Sequence, residues 1–338
     1  MDPKVSIIVP TKNRADYVSS AIQSVLHQTF GDFEIIVVDG ASIDNTREVI
    51  SKFDDERMRY IREKKDRGAS ASRNTGIRLS TGKFIAFLDD DDLWMPSKLE
   101  KQLELVNKKP NVGAVYTGTW GFKKNGKVIV SRIPFLRGNI FPEILEKNYV
   151  GGCSMVLVRK ECLEKVGLFD ENLPAGEDFD LWIRLAKYYQ FDCIREPLVL
   201  YRIHEKRVSA DPYRSLIAKK SLFEKYSMEL TTSFNDRKIL GFWHYGLGVR
   251  YCECGDVRRG KKEFVKAITC NQFSVLYYAR LLASFFGSKV FNLLTHRLDS
   301  LLWLARARNI SNDLNEEGLA LFRLVDQHKK QQYANEKG

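Results

Sequence analysis

The chain has 338 residues and an ordinary hydrophobic fraction of 44%, so it can bury a sizeable core in one large domain with an appendage or in two domains. Its formal net charge of +11 favours anionic partners: nucleotide phosphates, nucleic acid or an anionic membrane surface. The six cysteines lack the spacing of a disulfide scaffold, the first residues lack a signal-peptide pattern, and no apolar run reaches the roughly 18 residues of a membrane span. We therefore expect reduced thiols and a cytoplasmic location.

The N-terminal part of the chain alternates apolar runs with amphipathic segments. Four runs rich in β-branched and aromatic residues predict strands at 5–9, 33–38, 58–61 and 84–88, the first of them stopped by Pro10. The segments between them predict helices, one of which is capped by Asp44. Strands that alternate with helices indicate βαβ units, and hence a mostly parallel sheet with right-handed crossovers.

The pattern changes after residue 110. Apolar runs at 112–120 and 127–131 flank Lys124-Asn125-Gly126, which is a hairpin signal of the type I′ kind. The sequence then predicts a strand at 153–158, helices at 160–166 and after Gly176, and a late strand at 198–201. Strand signals fade beyond residue 210, and the periodic segments there predict a helical extension. These changes divide the chain into units 1–210 and 211–338.

A run of four aspartates, Asp89 to Asp92, follows the predicted strand at 84–88. Like charges at the end of a buried strand repel one another and resist dehydration, so a positive partner is expected there. Carboxylate oxygens suit a hard cation such as Mg²⁺, which takes one or two protein carboxylates and completes its shell with water and phosphate. A solvated acidic turn is the alternative reading of this run taken alone.

Two further acidic sites lie at the ends of predicted elements. Asp39 follows the second strand, and the pair Glu177-Asp178 opens a helix. Separately, Asp39 fits a turn residue and Asp178 fits a charge that stabilises a helix N-terminus. The sheet topology, however, brings these sites and the aspartate run to one edge, where ligands of open α/β sheets bind.

A series of motifs along the chain resembles glycosyltransferase family 2, whose members have the GT-A fold. The similarity covers roughly residues 4 to 210 and lies in segments 5–14, 37–46, 68–76, the aspartate run, 176–182 and 201–204. It implies a Rossmann-like, mostly parallel sheet flanked by helices with a short antiparallel portion. The nucleotide-binding half would be about 1–95 and the acceptor half about 96–210. The extension at 211–338 carries none of the motifs.

The resemblance implies an inverting enzyme that moves a sugar from a nucleotide diphosphate donor, usually UDP-linked, to an acceptor hydroxyl. Thr11 and Arg14 would border the base and ribose, Asp39 would accept a hydrogen bond from the base, and Arg73 with Asn74 would approach the diphosphate. The full set of nucleotide-binding residues carried over is Pro10, Thr11, Asn13, Arg14, Asp39, Ser42, Gly68, Arg73, Asn74, Asp89 and Asp90. Residues 41–44 depart from the commonest family pattern, which leaves the ribose contacts of that turn open.

The same resemblance assigns the metal and catalytic groups. Asp91 would contact Mg²⁺ or Mn²⁺ directly, with Asp89 nearer the ribose or a metal-bound water, and Asp92 would support the loop. His204 is either a third metal ligand or a structural histidine. Asp178 matches the base and Glu177 a helper carboxylate. Trp182 could offer an apolar face to the acceptor sugar, or it could pack in the core.

The implied partners are a nucleotide-sugar donor and a glycan or glycolipid acceptor, in bacterial or archaeal surface polysaccharide or glycolipid synthesis. Segment 291–308 fits an interfacial helix on the inner face of the membrane, but equally a helix packed on the catalytic unit or on a second copy in a homodimer. Competing classes are a non-catalytic GT-A-like nucleotide binder, a nucleotidyltransferase and a basic nucleic-acid-binding protein. This sequence has no recognition-helix motif and no aromatic RNA-binding motif, so we expect no nucleic acid partner.

Overall fold

The computed structural model describes residues 2–122, 128–204, 211–229 and 236–295, and within these ranges nine strands form one sheet. The strands are β1 Val5–Thr11, β2 Phe33–Asp39, β3 Met58–Arg62, β4 Phe84–Phe87, β5 Leu93–Trp94, β6 Val112–Phe122, β7 Val128–Arg132, β8 Val156–Arg159 and β9 Gln190–Arg202. The helices are α1 Ala15–Leu26, α2 Thr46–Ile50, α3 Ala69–Leu79, α4 Lys98–Asn107, α5 Phe141–Glu146, α6 Lys160–Val166, α7 Glu177–Ala186, α8 Pro212–Tyr226, α9 Asp236–Glu253, α10 Val257–Cys270 and α11 Val275–Ser284.

The strand order is β3-β2-β1-β4-β8-β6-β9-β5, and β7 pairs with β6 beside this path. Strands β3, β2, β1 and β4 are parallel, as the alternation of strands and helices predicts. Strand β8 is antiparallel to both of its neighbours, β4 and β6. Two antiparallel steps restore the original direction, so β6 and its parallel partner β9 run the same way as β4.

This arrangement gathers distant segments at one edge of the sheet. The loops after β1, β2 and β4 leave the sheet at the carboxyl ends of parallel strands, and residues 203–204 leave the end of β9 at the same edge. The N-terminus of α7 also lies at this edge, because Glu177 contacts Arg73, which contacts Asp89 in the loop after β4. The α/β sheet with an antiparallel portion and C-terminal helices that the sequence predicts is therefore present.

The principal hydrophobic cluster lies on the faces of the sheet and extends into the C-terminal helices. It includes buried apolar residues of β1, β2 and β4 together with Trp182 of α7 and Trp243 of α9. Buried residues of α8, Leu222 and Tyr226, belong to the same cluster. A second cluster contains Cys252, Phe264 and neighbouring residues of α9 to α11.

The strand boundaries differ from the predicted ones in several places. Strand β1 continues through Pro10 to Thr11 because β4 pairs with it only as far as Ile8, so the missing N–H of proline leaves no gap in that ladder. Residues 153–155 form a 3₁₀ turn before β8 rather than part of it. Strand β9 begins at Gln190, well before the predicted start at 198, because its polar middle still pairs with β6.

Two short elements, β5 and α5, are absent from the sequence prediction. The predicted hairpin turn at 124–126 lies outside the described residues, although β6 and β7 pair antiparallel on either side of it. Most of segment 291–308 also lies outside them. No helix in the described ranges combines the length and apolar character that crossing a bilayer requires.

Helix α3 packs against β1 at a glycine. A Cβ atom at Gly76 would lie 2.5 Å from Cγ2 of Ile8, which is fully buried in the sheet and has no room to move. We predict that Gly76→Ala lowers the free energy of unfolding by about 1–3 kcal/mol despite the better helix propensity of alanine. Urea denaturation measures this change.

The matched control is Gly31→Ala, because no atom lies within 4 Å of a Cβ added at Gly31. Equal stability of the two alanine variants would contradict the close packing of α3 on β1.

Candidate active site

The aspartate run forms the loop between β4 and β5. Asp92 is almost fully buried and holds this loop in place. Its Oδ2 accepts a hydrogen bond from the Ser154 hydroxyl at 2.7 Å, and its Oδ1 accepts one from the backbone N–H of Arg202 at 3.2 Å. The end of β9 and the 3₁₀ turn at 153–155 are thereby hydrogen-bonded to this loop, which we call the acid loop (Asp89 to Asp92).

Asp91 projects toward the end of β9. Its Oδ2 lies 2.8 Å from Nε2 of His204 and 3.7 Å from Nη1 of Arg14. The His204 ring stacks on Tyr17 of α1 at a centroid distance of 5.5 Å. The Arg202 guanidinium donates to the backbone oxygen of Asp91 at 3.0 Å. An acid from one loop and an imidazole just beyond the end of β9, 113 residues away, thus meet as a pair.

The donor set at this pair fits a divalent cation shared with a phosphate. Among the described residues, no three His, Cys, Asp or Glu side chains converge as a complete protein-only metal site. Mg²⁺, however, typically takes only one or two protein ligands and completes its shell with water and substrate phosphates. Asp91 Oδ2 and His204 Nε2, which lie 2.8 Å apart, would supply two such ligands, and an imidazole together with a carboxylate also suits Mn²⁺.

Arg73 of α3 joins the acid loop to the start of α7. Its Nη2 lies 2.7 Å from Oδ1 of Asp89, and its Nη1 lies 2.8 Å from Oε1 of Glu177. The side chain is 7% exposed, and its cation stacks over the ring of Phe169 at 5.4 Å. A buried guanidinium between two carboxylates holds the two halves of the site together. Arg73 is therefore engaged as a bridge between two carboxylates, and its contact with a diphosphate stays a prediction.

Asp178 stands beside this bridge at the second position of α7. Its Oδ1 accepts a hydrogen bond from the backbone N–H of Phe179 at 2.6 Å. Burial, followed by repulsion from Glu177, raises the pKa of Asp178 to about 7, while the Phe179 N–H and Arg73 oppose the shift. A carboxyl group that titrates near neutral pH is suited to general base catalysis.

The loops after β1 and β2 are tied to each other. The Ser42 hydroxyl accepts a hydrogen bond from the backbone N–H of Asn13 at 2.9 Å, and Asn13 Oδ1 accepts one from Ile43 at 2.8 Å. Asn13 and Ala41 both have positive φ angles, 51° and 60°, which marks this junction as a strained backbone region. Strain of this kind gathers at ligand-binding sites.

Thr11 links the first loop to the acid run by donating to Oδ2 of Asp90 at 2.7 Å. Burial, followed by repulsion from Asp91, raises the pKa of Asp90 to about 7. Asp90 therefore holds the loop through a hydroxyl and does not face outward as a free carboxylate. Pro10 precedes Thr11 at the end of β1, and both are buried.

Asp39 lies where the sequence predicts a contact with the base, but it is fully buried. Its Oδ1 accepts from the backbone N–H of Ser42 at 2.8 Å, and its Oδ2 accepts from the hydroxyl of Tyr60 at 2.5 Å. A carboxylate has about four acceptor positions, so a base N–H could still bind it. Such a contact requires Tyr60 or the turn to move.

Two predicted site residues have structural roles instead. Asn74 is buried and pairs with the loop before α7: its Nδ2 donates to the backbone oxygen of Phe169 at 2.9 Å, and its Oδ1 accepts from Phe169 N–H. Trp182 is fully buried, and its Nε1 donates to the backbone oxygen of Gly151 at 2.9 Å. Neither side chain is open to a substrate. Gly68 directly precedes α3, has a φ of 86° and is exposed.

Several residues of the site have no predicted role. Tyr17, Tyr60, Ser154 and Arg202 orient the predicted acids by stacking or hydrogen bonding. Arg202 lies within a motif, directly before Ile203 and His204, and could have been found from that position. The others depend on pairings between segments far apart in the sequence.

The sequence of the chain is similar to a known family and to several known proteins. Residues 6–167 match the family model described as Glycosyl transferase family 2. A glycosyltransferase of Rickettsia felis is 38% identical over 204 residues, which are 60% of this chain and 33% of the relative. UDP-Glc:alpha-D-GlcNAc-diphosphoundecaprenol beta-1,3-glucosyltransferase WfgD of Escherichia coli is 32% identical over 217 residues, 64% of this chain and 83% of WfgD. The chain therefore spans a third of one relative and most of another.

Two solved structures share the fold at 17% sequence identity. TarS 1–349 of S. aureus in complex with UDP-GlcNAc has a TM-score of 0.55 over 79% of this chain and 89% of TarS. The mannosyltransferase PcManGT of Pyrobaculum calidifontis, in complex with GDP-Man and Mn²⁺, has a TM-score of 0.52 over 87% of each chain. At this identity the likeness concerns the fold.

The raised pKa of Asp178 gives a prediction for stability. The unfolded chain releases this proton near the ordinary value of 3.8, whereas the folded chain retains it up to about pH 7, so ionised Asp178 destabilises the fold as pH rises. Asparagine does not ionise. We predict that the gain in Tm of Asp178→Asn over the unchanged protein grows between pH 4 and 7 and levels off above pH 7.

Thermal unfolding by circular dichroism across this pH range measures the gain, and Asp16→Asn at an exposed site of α1 is the control. A gain that is flat with pH, or that falls as pH rises, would contradict the burial of the Asp178 carboxylate.

Proposed function

The chain belongs to glycosyltransferase family 2, and from this premise we propose that it transfers a sugar from a UDP-linked donor to a hydroxyl group of a glycan or glycolipid, with inversion at the anomeric carbon. One observation carries the proposal. The Arg73 bridge brings the acid loop after β4 within one side chain of the acid pair that opens α7. The acid loop, which would hold the donor diphosphate, is thereby joined to the start of α7, which would carry the base. This juxtaposition is what a displacement at a sugar carbon requires.

The relatives support the donor and the process. WfgD takes UDP-Glc, by its name, and the TarS structure holds UDP-GlcNAc, whereas PcManGT holds GDP-Man. We therefore favour UDP over GDP as the donor nucleotide. The acceptor in the name of WfgD is a sugar on a diphosphoundecaprenol lipid, which supports a role in surface polysaccharide synthesis with a glycolipid acceptor.

The donor would lie along the edge formed by the loops after β1, β2 and β4. The hydrogen-bonded loops at Asn13 and Ser42 would border the ribose and base. Asp39 would accept a hydrogen bond from the base after a shift of Tyr60. Arg14, near Asp91, would place a positive charge beside the diphosphate. Asp91 and His204 would hold Mg²⁺ or Mn²⁺ with Asp89 nearby. When bound, the ion supplies Lewis-acid neutralisation of the charge on the departing diphosphate.

Asp178 would act at the opposite end of the site. In its ionised form it accepts the proton of the acceptor hydroxyl as that oxygen bonds to the anomeric carbon, while the bond from this carbon to the diphosphate oxygen breaks. A single displacement of this kind inverts the configuration. Glu177 is held by Arg73 and would keep its charge in place beside the base. The pKa of Asp178, about 7, lets a useful fraction of the base be ionised at neutral pH.

We predict that Asp91→Asn and Asp178→Asn each lower UDP release from the preferred UDP-sugar by roughly a hundredfold or more, since each removes a group that acts on the reacting bonds. Only Asp91→Asn should weaken the Mn²⁺-dependent affinity for UDP, because Asp178 lies at the acceptor end. Coupled UDP-release kinetics and calorimetric UDP titration with and without Mn²⁺ separate the two effects. Near-normal turnover by Asp178→Asn would exclude it as the base.

A glycolipid acceptor requires access to a membrane surface, and the C-terminal helices offer one. Exposed apolar side chains concentrate between residues 265 and 294, among them Phe273, Val275, Leu282, Phe285 and Phe286. The sequence has no carboxylate between Glu263 and Asp299, and the cations Lys266 and Lys289 are exposed in this stretch. An apolar surface free of acidic residues is complementary to anionic lipid headgroups.

We predict that the double substitution Phe285→Ser with Phe286→Ser lowers binding to vesicles that contain anionic lipid by about tenfold, because each phenylalanine removes apolar area from the interface. Co-sedimentation measures this, and Tyr213→Ser, at an equally exposed position of α8, is the control.

Unchanged vesicle binding would contradict the membrane contact. If it were accompanied by a fall in Tm or by dissociation of a dimer, the surface would be covered by the chain's own residues or by a second copy.

A further inference from the structure

The first turn of α7 makes contacts on two sides. Glu177 and Asp178 belong to the catalytic edge described above. Gly176, Phe179 and Asp180 lie three and four residues apart and so share another face of the helix. All three contact α8 or α9, which belong to the extension that carries none of the family motifs.

Asp180 is the centre of this second face. It is fully buried, and its Oδ1 accepts a hydrogen bond from the Tyr226 hydroxyl at 2.7 Å and lies 2.7 Å from Nζ of Lys225. Its Oδ2 is bound by Arg184 of α7 at 2.9 Å. A buried carboxylate with three partners is held in one place, because each displaced partner would leave charge uncompensated.

Apolar contacts fix the neighbouring positions. The ring of Phe179 stacks on Trp243 of α9 with an interplanar angle of 6° and a centroid distance of 6.1 Å. Trp243 is itself fixed, since it is fully buried and donates to the backbone oxygen of Leu145 at 2.7 Å. Leu222 of α8 fills the space over Gly176, where a Cβ atom would lie 3.0 Å from Cδ1 of that leucine.

Lys225 also connects α7 to the loop before it. Its Nζ lies 2.8 Å from Oδ2 of Asp170, next to Phe169, whose ring supports the Arg73 guanidinium. One lysine at the end of α8 thus contacts both segments that approach the Arg73 bridge. The contacts of Lys225 reach the site through Asp170 and Asp180.

We propose that Lys225 and Tyr226 are positioning residues for the reaction: by holding Asp180 they fix the first turn of α7, and with it Asp178, over the acceptor hydroxyl. The inference rests on the proposed role of Asp178 as base. It gives the C-terminal helices a part in catalysis, in addition to any contact with lipid. Both residues act through Asp180, two positions beyond the base.

The test measures turnover per intact nucleotide site. Tyr226→Phe removes one hydroxyl without changing shape, and Lys225→Met removes the cation. Displacing a catalytic group by a fraction of an ångström to an ångström lowers the rate strongly, so we expect each variant to lower kcat for UDP-sugar hydrolysis by about tenfold. KM for the donor and the number of UDP-binding sites should stay unchanged, because the donor loops are untouched. Lys225→Arg, which keeps the cation, should restore most of the rate.

The matched control is Lys187→Met. Lys187 ends the same helix α7 and lies 3.7 Å from Glu229, so the control breaks a link between α7 and the chain after α8, but at the end remote from Asp178. A merely structural role would lower turnover and UDP-binding sites together. Stopped-flow or coupled UDP-release assays with UDP-glucose and UDP-N-acetylglucosamine, normalised to calorimetric UDP stoichiometry, distinguish the cases.

Unchanged kcat per site in Tyr226→Phe and Lys225→Met, or an equal loss in Lys187→Met, would overturn the proposal. If Lys225→Met does not fold, the isosteric Tyr226→Phe decides alone. Asp178→Asn in the same assay separates a failure of the base assignment from a failure of the positioning role. Near-normal turnover by Asp178→Asn would refute the base assignment itself. An inactive Asp178→Asn together with fully active Tyr226→Phe and Lys225→Met would refute only the positioning role.

Discussion

A buried guanidinium between two carboxylates is the interaction on which the site depends. Arg73 connects Asp89, 16 residues away, with Glu177, 104 residues away. Breaking a buried ion pair by removing one partner is strongly destabilising because a charge is left uncompensated. Loss of any one of Arg73, Asp89 and Glu177 would therefore separate the acid loop from the start of α7. The acid loop and the start of α7 can act on one substrate because this cation holds both.

Strand direction explains how the remaining groups reach the same edge. The two antiparallel steps through β8 return β6 and β9 to the direction of β4, so His204 emerges beside Asp91 and not on the far side of the sheet. The C-terminal helices complete the arrangement from behind. They bury Asp180 and Phe179, on another face of α7 than the one that carries Glu177 and Asp178. Asp178 is then held in surroundings that raise its pKa, which favours base chemistry at the expense of stability.

The sequence predicts the architecture and the acidic ends of the strands, because both follow from local patterns: apolar runs, their alternation with helices, and acids directly after a run. It does not predict which side chains turn inward. Trp182 and Asn74 lie in motifs but are buried, and Asn74 bonds a backbone 95 residues away. The bridging role of Arg73 likewise depends on a partner far away in the sequence, Glu177. Such pairings depend on tertiary contacts that no local spacing encodes, and the two-residue strand β5 is too short to leave a pattern.

The central claim is that acids from separate segments surround one nucleotide-sugar. Crystals grown with UDP and Mn²⁺, measured by anomalous scattering at the manganese edge, test this claim most directly. The account predicts a manganese peak within coordinating distance of Asp91 and His204, with the diphosphate beside it and the uracil ring near Asp39. A nucleotide bound elsewhere on the chain, or a manganese peak remote from both side chains, would contradict the account.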